Sequence, residues 1–129
     1  MEKQKEKIIK EIGFNDKNIL ISCTAVRVPV MRAHSESIVV ETEKKVSPEK
    51  VRVLFEKTLG IKVVDEPEKN LYPMPLFVSN NYDVNVGRIR QSLVFKDYGL
   101  EFFVSGDQLL KGAALNSVQI AEELIKNKK

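Results

Sequence analysis

The segment from Arg27 to His34 gathers side chains that could bind a small anion and move a proton. His34 is the only histidine in the 129-residue chain, and Arg27 and Arg32 precede it closely. An imidazole titrates near neutral pH, which suits proton transfer, although a surface histidine without a catalytic role is a fair alternative. A guanidinium binds a carboxylate or phosphate through two parallel hydrogen bonds. An internal salt bridge from Arg27 to a glutamate is an equally good explanation.

A predicted strand must position these residues. Residues 18–30 are rich in β-branched side chains, which predicts a strand that ends or bulges near Pro29. On a regular strand, the seven-residue offset between Arg27 and His34 places their side chains on opposite faces. The two side chains therefore converge only if the chain bends. Pro29 and Ala33 are the positions where we expect that bend.

The rest of the chain predicts an α+β domain with a mixed, mostly antiparallel sheet and helices on one face. The sequence Ser47-Pro48-Glu49 is a strong helix start, and Gly60 is the expected end of that helix. The other predicted elements are a helix over 2–12, strands over IVVETEK, IKVV, 82–96 and 99–105, a turn-rich segment over 66–74, and a terminal helix with a broad apolar face.

Composition limits the classes of function. The length of 129 residues predicts one domain, over 1–129. The 21 basic and 18 acidic residues are interspersed, which predicts no nucleic-acid partner. No leader or long apolar run is visible, which predicts a cytoplasmic protein with no membrane partner. The lone Cys23 lies in an apolar run, where a buried thiol is expected more often than a nucleophile. We expect no metal site.

Three segments together resemble a known family. The runs CTAVRVPVMRAHSESIVVE, VNVGRIR and GDQLLKGAALNSVQIAEEL, in this order and spacing, resemble the C-terminal half of aspartate-semialdehyde dehydrogenase, over residues 2–124. The resemblance implies the fold of the C-terminal catalytic and dimerisation domain of the glyceraldehyde-3-phosphate dehydrogenase-like enzymes. It also implies an NADP-dependent oxidoreductase that reduces aspartyl phosphate to aspartate semialdehyde, for lysine, methionine and threonine biosynthesis. In that family a cysteine thiolate forms a thioacyl intermediate with release of phosphate, and hydride transfer from NADPH yields the semialdehyde. The resemblance therefore also implies that phosphate is the co-substrate in the reverse direction.

The resemblance also assigns roles to residues of this chain. It implies that Arg27 binds the substrate carboxylate and that His34 is the acid/base catalyst. Glu2 and Lys5 match a Glu-x-x-Lys pair that contacts the substrate's amino group and phosphate, although two charges on a solvated helix face explain them equally well. Gln108 corresponds to an amide that lies beside the nicotinamide carboxamide of NADP.

Some sequence features favour other readings. Asp107 and Gln108 could simply cap the last helix. Arg88 and Arg90 are expected to have structural or interface roles rather than catalytic ones. A small α+β domain could also be a non-catalytic ligand-binding or dimerisation module that reuses the fold.

The chain departs from the family in two respects. It contains no G-x-G-x-x-G phosphate-binding loop, and Cys23 does not occupy the family's asparagine-cysteine motif. We therefore expect the substrate-binding and dimerisation half of the enzyme, beginning inside a helix, inactive alone and forming a homodimer. The N-terminal half would be missing or encoded separately. The terminal helix, within 106–129, packs on the NADP-binding domain in the family, so here its apolar face should be exposed, paired with a second copy or docked elsewhere.

Overall fold

Four strands form one mixed sheet in the computed structural model of the protein, which describes residues 16 and 18–127. The strands are β1 (His34–Glu41), β2 (Ile61–Val63), β3 (Val84–Ser92) and β4 (Lys96–Gly106). Their order across the sheet is β1-β4-β3-β2. β4 pairs antiparallel with both β1 and β3, whereas β2 pairs parallel with β3. The predicted mixed, mostly antiparallel sheet is confirmed. The predicted helix over 2–12 lies outside the described residues.

In the described part of the chain, three α-helices accompany the sheet: α1 (Pro48–Lys57), α2 (Pro75–Val78) and α3 (Leu115–Lys126). A 3₁₀ turn covers Pro67–Lys69, and a π-helical turn, Leu110–Ala114, leads into α3. Helix α1 begins as predicted, because the Ser47 side chain accepts a hydrogen bond from the Lys50 N–H and Pro48 is the first helical residue. It ends at Lys57, before the predicted Gly60.

The core lies between α1 and one face of the sheet. Val86, Ile89 and Leu100 are buried there, and Val51 and Phe55 of α1 pack against them. The Phe55 ring meets Phe102 of β4 edge-on, with ring centroids 5.7 Å apart. The burial of apolar side chains from both layers holds helix and sheet together.

A bulge in β3 sets which side chains reach this core. The pairing register shifts between Gly87 and Arg90, where Arg88 has a φ of 57°. In a regular strand Val86 and Ile89 would point to opposite faces, because successive side chains alternate. The extra residue restores both to the core side.

The predicted strand over 18–30 is wrong. This segment forms no strand and most of its residues are exposed. β-branched residues fit a half-buried pleated surface, but they do not supply the neighbouring strand that a ladder requires. The expected bends are confirmed. The chain turns at Pro29, where the Val30 N–H donates to the Val28 carbonyl at 2.8 Å, and Ala33 has a φ of 79°.

Helix α3 exposes its apolar side chains. None of its residues is buried, and Leu124 and Ile125 are 61% and 68% exposed. Within the described chain the apolar face of this helix is therefore left uncovered and is not docked elsewhere on the sheet. None of the helices in the described part of the chain is both long enough and apolar enough to cross a membrane.

Candidate functional site

His34 is the first residue of β1, where its backbone is fixed and its side chain is exposed. It pairs with Gly106 of β4, and its carbonyl accepts a hydrogen bond from the Ser105 hydroxyl at 3.3 Å. Ser105 is fully buried, so water does not compete for this hydrogen bond. The imidazole itself makes no hydrogen bond or ion pair with any residue that the structure describes. Both ring nitrogens therefore remain available to a ligand.

Ala33 holds an unusual backbone conformation directly before His34. Its φ of 79° is left-handed, and the residue is 3% exposed. This conformation costs a residue with a Cβ about 1–2 kcal/mol. The Gln108 side-chain oxygen accepts a hydrogen bond from the Ala33 N–H at 2.8 Å, across 75 residues of sequence. The structure thus brings Gln108 to the segment that sets the position of His34.

Asp107 lies beside Gln108 and is buried. Its carboxylate accepts hydrogen bonds from three backbone N–H groups: Asn80 at 2.7 Å, Leu109 at 2.9 Å and Leu110 at 3.3 Å. The last two bonds show that Asp107 caps the start of the terminal helical segment, which was the alternative explanation for this residue. Gln108 does not cap this segment, because its side-chain oxygen contacts Ala33 instead.

Arg32 pairs with this buried carboxylate. Its Nε lies 2.7 Å from Asp107 Oδ2, within ion-pair distance, although the N–H direction does not make a hydrogen bond. Its Nη1 donates to the Asn80 side-chain oxygen at 2.7 Å. Sequence reasoning missed the structural role of Arg32. Its partner is 75 positions away along the chain, and the helix-cap pattern around Asp107 was the one available signal.

The surroundings of Asp107 shift its pKa downward. Burial acts to raise the pKa, because it disfavours the charged carboxylate. The Asn80 N–H, the Arg32 guanidinium and the N–H groups of Leu109 and Leu110 together outweigh burial and hold the pKa below its ordinary value of 3.8. Asp107 is therefore an anion at neutral pH and forms a charged pair with Arg32.

Arg27 is not brought to His34 by any contact in the described structure. It lies exposed in the irregular segment and makes no hydrogen bond or ion pair with a described residue. Glu2 and Lys5 lie outside the described residues. Cys23, which was expected to be buried, is half-buried.

Arg88 and Arg90 have intramolecular partners, as expected for structural residues. The Arg88 guanidinium lies 4.9 Å from the centroid of the Tyr72 ring, in cation–π geometry. The Arg90 Nη2 is 2.6 Å from Glu101 Oε2 on the neighbouring strand. Both contacts tie β3 to its surroundings.

The described chain has concavities away from His34. A cleft of about 460 Å³ is lined by residues that include Lys62, Tyr72, Phe77 and Tyr82, and it contains neither His34 nor Gln108. Across the described residues, no group of three or more histidine, cysteine, aspartate or glutamate side chains is arranged to hold a metal ion.

Comparison with known proteins identifies relatives of this chain. The model of the semialdehyde dehydrogenase dimerisation domain matches residues 1–111. Aspartate-semialdehyde dehydrogenase of Aquifex aeolicus is 46% identical over 126 residues, which are 96% of this chain and 37% of that protein. The enzyme of the same name from Prochlorococcus marinus is 45% identical over 112 residues, 87% of this chain and 32% of that protein.

Similarity to solved structures points to the same group of enzymes. The crystal structure of aspartate semialdehyde dehydrogenase II from Vibrio cholerae, complexed with ASA, superposes with a TM-score of 0.84 at 35% identity. The superposition covers 96% of this chain and 37% of the Vibrio chain. The expected likeness in fold to these dehydrogenases is therefore confirmed. The chain spans about a third of the length of the relatives it matches. Because the family model covers most of its residues, the chain belongs to the semialdehyde dehydrogenase dimerisation-domain family.

Proposed function

We propose that this chain is the substrate-binding and dimerisation part of an NADP-dependent aspartate-semialdehyde dehydrogenase. The whole enzyme reduces aspartyl phosphate to aspartate semialdehyde, in the cytoplasmic biosynthesis of lysine, methionine and threonine. Polypeptide outside this chain supplies the nucleophilic cysteine and the glycine-rich cofactor loop. The active assembly is a homodimer, and the terminal helix within 106–129 packs on the NADP-binding domain.

One contact is the main support for this proposal. The Gln108 side chain bonds to the residue before His34, although 75 positions separate the two contacting residues. The proposed cofactor-binding residue and the segment that carries the proposed acid/base residue are thus adjacent. A protein that only needed the fold would gain stability from many other arrangements of these residues, so this proximity favours an active site.

His34 is suited to manage the proton at the reacting carbonyl. Its backbone is anchored to β4, while its imidazole is exposed and has no partner among the described residues. Proton transfer by a positioned imidazole contributes about 10²–10⁴-fold to a rate. In this role His34 donates a proton to the oxygen on which negative charge develops and takes one back in the reverse direction.

Arg27 is proposed to bind the substrate's carboxylate through two parallel hydrogen bonds. Its guanidinium has no partner among the described residues, so it is available to an anion. Arg27 and His34 lie on either side of the bend at Pro29, and substrate bound between them would be held in one orientation. Glu2 and Lys5 are proposed to contact the substrate's amino group and the phosphate.

The residues near Gln108 fit a nicotinamide carboxamide in part. The Gln108 oxygen is already bonded to Ala33, whereas its Nε2 has no hydrogen-bond partner among the described residues. That Nε2 can donate to an amide oxygen. When bound, NADPH supplies the hydride for the reduction. The contribution of this chain is to orient the carboxamide through Gln108.

A non-catalytic ligand-binding or dimerisation module is the alternative function. The exposure of Arg27 and the lack of a contact between Arg27 and His34 favour it. The activity of a chimera distinguishes the enzymatic function from the non-catalytic one. In the chimera, this chain replaces the matching 126-residue segment of the Aquifex aeolicus relative.

The chimera is assayed for phosphate-dependent reduction of NADP by aspartate semialdehyde. We expect activity, and we expect the His34→Ala chimera to lose about 10²-fold or more of kcat. Lys57→Ala, at the end of α1, is the matched control and should remain active. A folded chimera without activity, or one in which His34→Ala is as active as the parent, would contradict the enzymatic function.

A further inference from the structure

We propose that Arg32 and Asp107 are positioning residues for His34, and that they couple its placement to the start of the terminal helical segment. The inference rests on the proposed function, in which His34 transfers the proton. Neither residue needs to touch substrate in this role. They act through the backbone of Ala33, which lies between Arg32 and His34.

The Asp107 carboxylate is the point at which three segments of the chain meet. Oδ2 contacts Arg32 and the Asn80 N–H, both at 2.7 Å, and Oδ1 accepts from Leu109 and Leu110. The Asp107 side chain is 0% exposed, and Arg32 is 29% exposed. A buried ion pair that also receives several hydrogen bonds holds its partners in one geometry, because every alternative leaves a buried charge without a partner.

The turn at Ala33 requires such support. A left-handed alanine persists only where its neighbours fix it, because other conformations are lower in energy. On one side, Arg32 is fixed by Asp107 and Asn80. On the other side, His34 is fixed by its pairing with Gly106. Release of Arg32 would let Ala33 relax, and the relaxation would change the direction in which the His34 side chain leaves the strand.

The same contacts link His34 to the terminal helical segment. Gly106 pairs with His34, the next residue is Asp107, and the following N–H groups of Leu109 and Leu110 bond to the Asp107 carboxylate. A shift of the π-helical turn Leu110–Ala114 would therefore move the acceptor that fixes Arg32. Seating of the terminal helix and the orientation of the imidazole should change together.

The sole histidine of the chain allows a direct test by NMR. In the 129-residue protein, the imidazole signals of His34 can be assigned without ambiguity. The test variant is Asp107→Asn. The matched control is Asp65→Asn, which removes a second buried carboxylate. Like Asp107, Asp65 pairs with an arginine, here Arg52, and accepts a backbone hydrogen bond, from the Ile89 N–H at 3.1 Å.

We expect Asp107→Asn to move the His34 ring signals by more than their linewidth and to change the Ala33 amide signal. Asp65→Asn should leave both unchanged in the folded protein. The proposal is overturned if folded Asp107→Asn leaves the His34 signals in place, or if Asp65→Asn moves them equally. If Asp107→Asn does not fold, Arg32→Lys, which keeps the positive charge, replaces it as the test variant. It is expected to move the same His34 and Ala33 signals.

A kinetic measurement in the chimera gives the second readout. Misplacement of a catalytic group by about 1 Å can cost on the order of 10²-fold in rate. Asp107→Asn should therefore lower kcat tenfold to a hundredfold with little change in KM for the semialdehyde, whereas equal loss in Asp65→Asn counts against positioning. Failure of the proposed function would be seen separately, because His34→Ala would then have no effect on turnover of the chimera. The NMR result for the 129-residue protein does not depend on that activity.

Discussion

Gly87 of β3 lies directly against Pro73. A Cβ built on Gly87 would stand 2.6 Å from the Pro73 Cδ and 2.2 Å from the Val64 carbonyl oxygen, both closer than atoms can approach. The Val64 N–H bonds to the Val86 carbonyl at 2.8 Å, so the Val64 backbone cannot move away without weakening its link to β3. At this position, glycine allows the chain beyond β2 to close over the sheet.

Gly87→Ala should destabilise the fold. The added methyl group meets backbone and a proline ring, neither of which can rotate away, and overpacking of this kind costs about 1–3 kcal/mol. Chemical denaturation followed by circular dichroism measures the loss. Gly112→Ala is the control, because its Cβ would lie 3.5 Å from the Gln108 Cβ, an ordinary contact. Equal stability of Gly87→Ala and the parent protein would show that this close packing is wrong.

Asp65→Ala should lower the free energy of unfolding by about 2 kcal/mol, because it leaves Arg52 and the Ile89 N–H without their partner. Arg52 is 35% exposed and can be partly rehydrated, which keeps the loss below that of a fully buried pair. Urea denaturation provides the measurement. Asp97→Asn, which breaks the exposed pair with Lys45, should have little effect. A reversed order of the two variants would contradict this assignment.

The stability of the chain should fall in acid partly because of Asp107. Its pKa in the folded protein lies below the ordinary value of 3.8, so the folded state binds this proton less readily than the unfolded state. The stabilisation is present above pH 3.8 and is lost as the pH falls from there through the folded pKa.

Thermal unfolding between pH 7 and pH 2 tests this, with Asp107→Asn expected to show a shallower acid decline. Lowered pKa values at Asp97, through its hydrogen bond with Lys45, and at Glu49, through that with Ser47, act in the same direction and remain in the variant. An unchanged acid slope in Asp107→Asn would exclude a contribution from this carboxylate.

Arg27→Ala should raise KM for aspartate semialdehyde in the chimera by about tenfold to a hundredfold, the range expected for loss of a hydrogen-bonded charge. The unfolding temperature should stay unchanged, because Arg27 is exposed and has no partner among the described residues. Steady-state kinetics and calorimetry on the same preparation separate the two effects. A drop in unfolding temperature with unchanged KM would indicate a structural role.

Amide hydrogen exchange should be much faster in α3 than in β3 and β4. The residues of α3 are not buried, whereas β3 and β4 carry the core and pair along most of their length. Mass spectrometry of the exchanged 129-residue chain measures this. Strong protection over 115–126 in a monomer would contradict the exposed position of the helix. Protection that appears only in the chimera would support packing on the cofactor domain.

Local signals in the sequence predicted the elements that depend on local chemistry. Ser47 and Pro48 start α1 as predicted, because a cap needs only neighbouring atoms. The prediction of a strand over 18–30 was wrong, because β-branched side chains do not reveal whether a neighbouring strand is available for pairing. The bulge at Arg88 also has no local signal, since it depends on how β3 meets β4.

The candidate site likewise contains residues that the sequence predicted and a contact that it did not. His34 was a candidate from its residue type alone, and the family resemblance added Gln108. The structure adds the contact that brings Gln108 to the residue before His34. The ion pair of Arg32 with Asp107 could not be predicted, because it joins residues that become neighbours only after the sheet has formed.

The pairing of His34 with Gly106 also bears on the order of folding. The β3–β4 hairpin joins residues that are close in sequence, whereas β1 can dock only after β4, which comes much later in the sequence, has been synthesised. Contacts between distant parts of a chain form slowly, because a long loop must close first. During translation, the chain ahead of β4 would have to remain soluble while it waits. The imidazole would then be among the last groups to reach its final position.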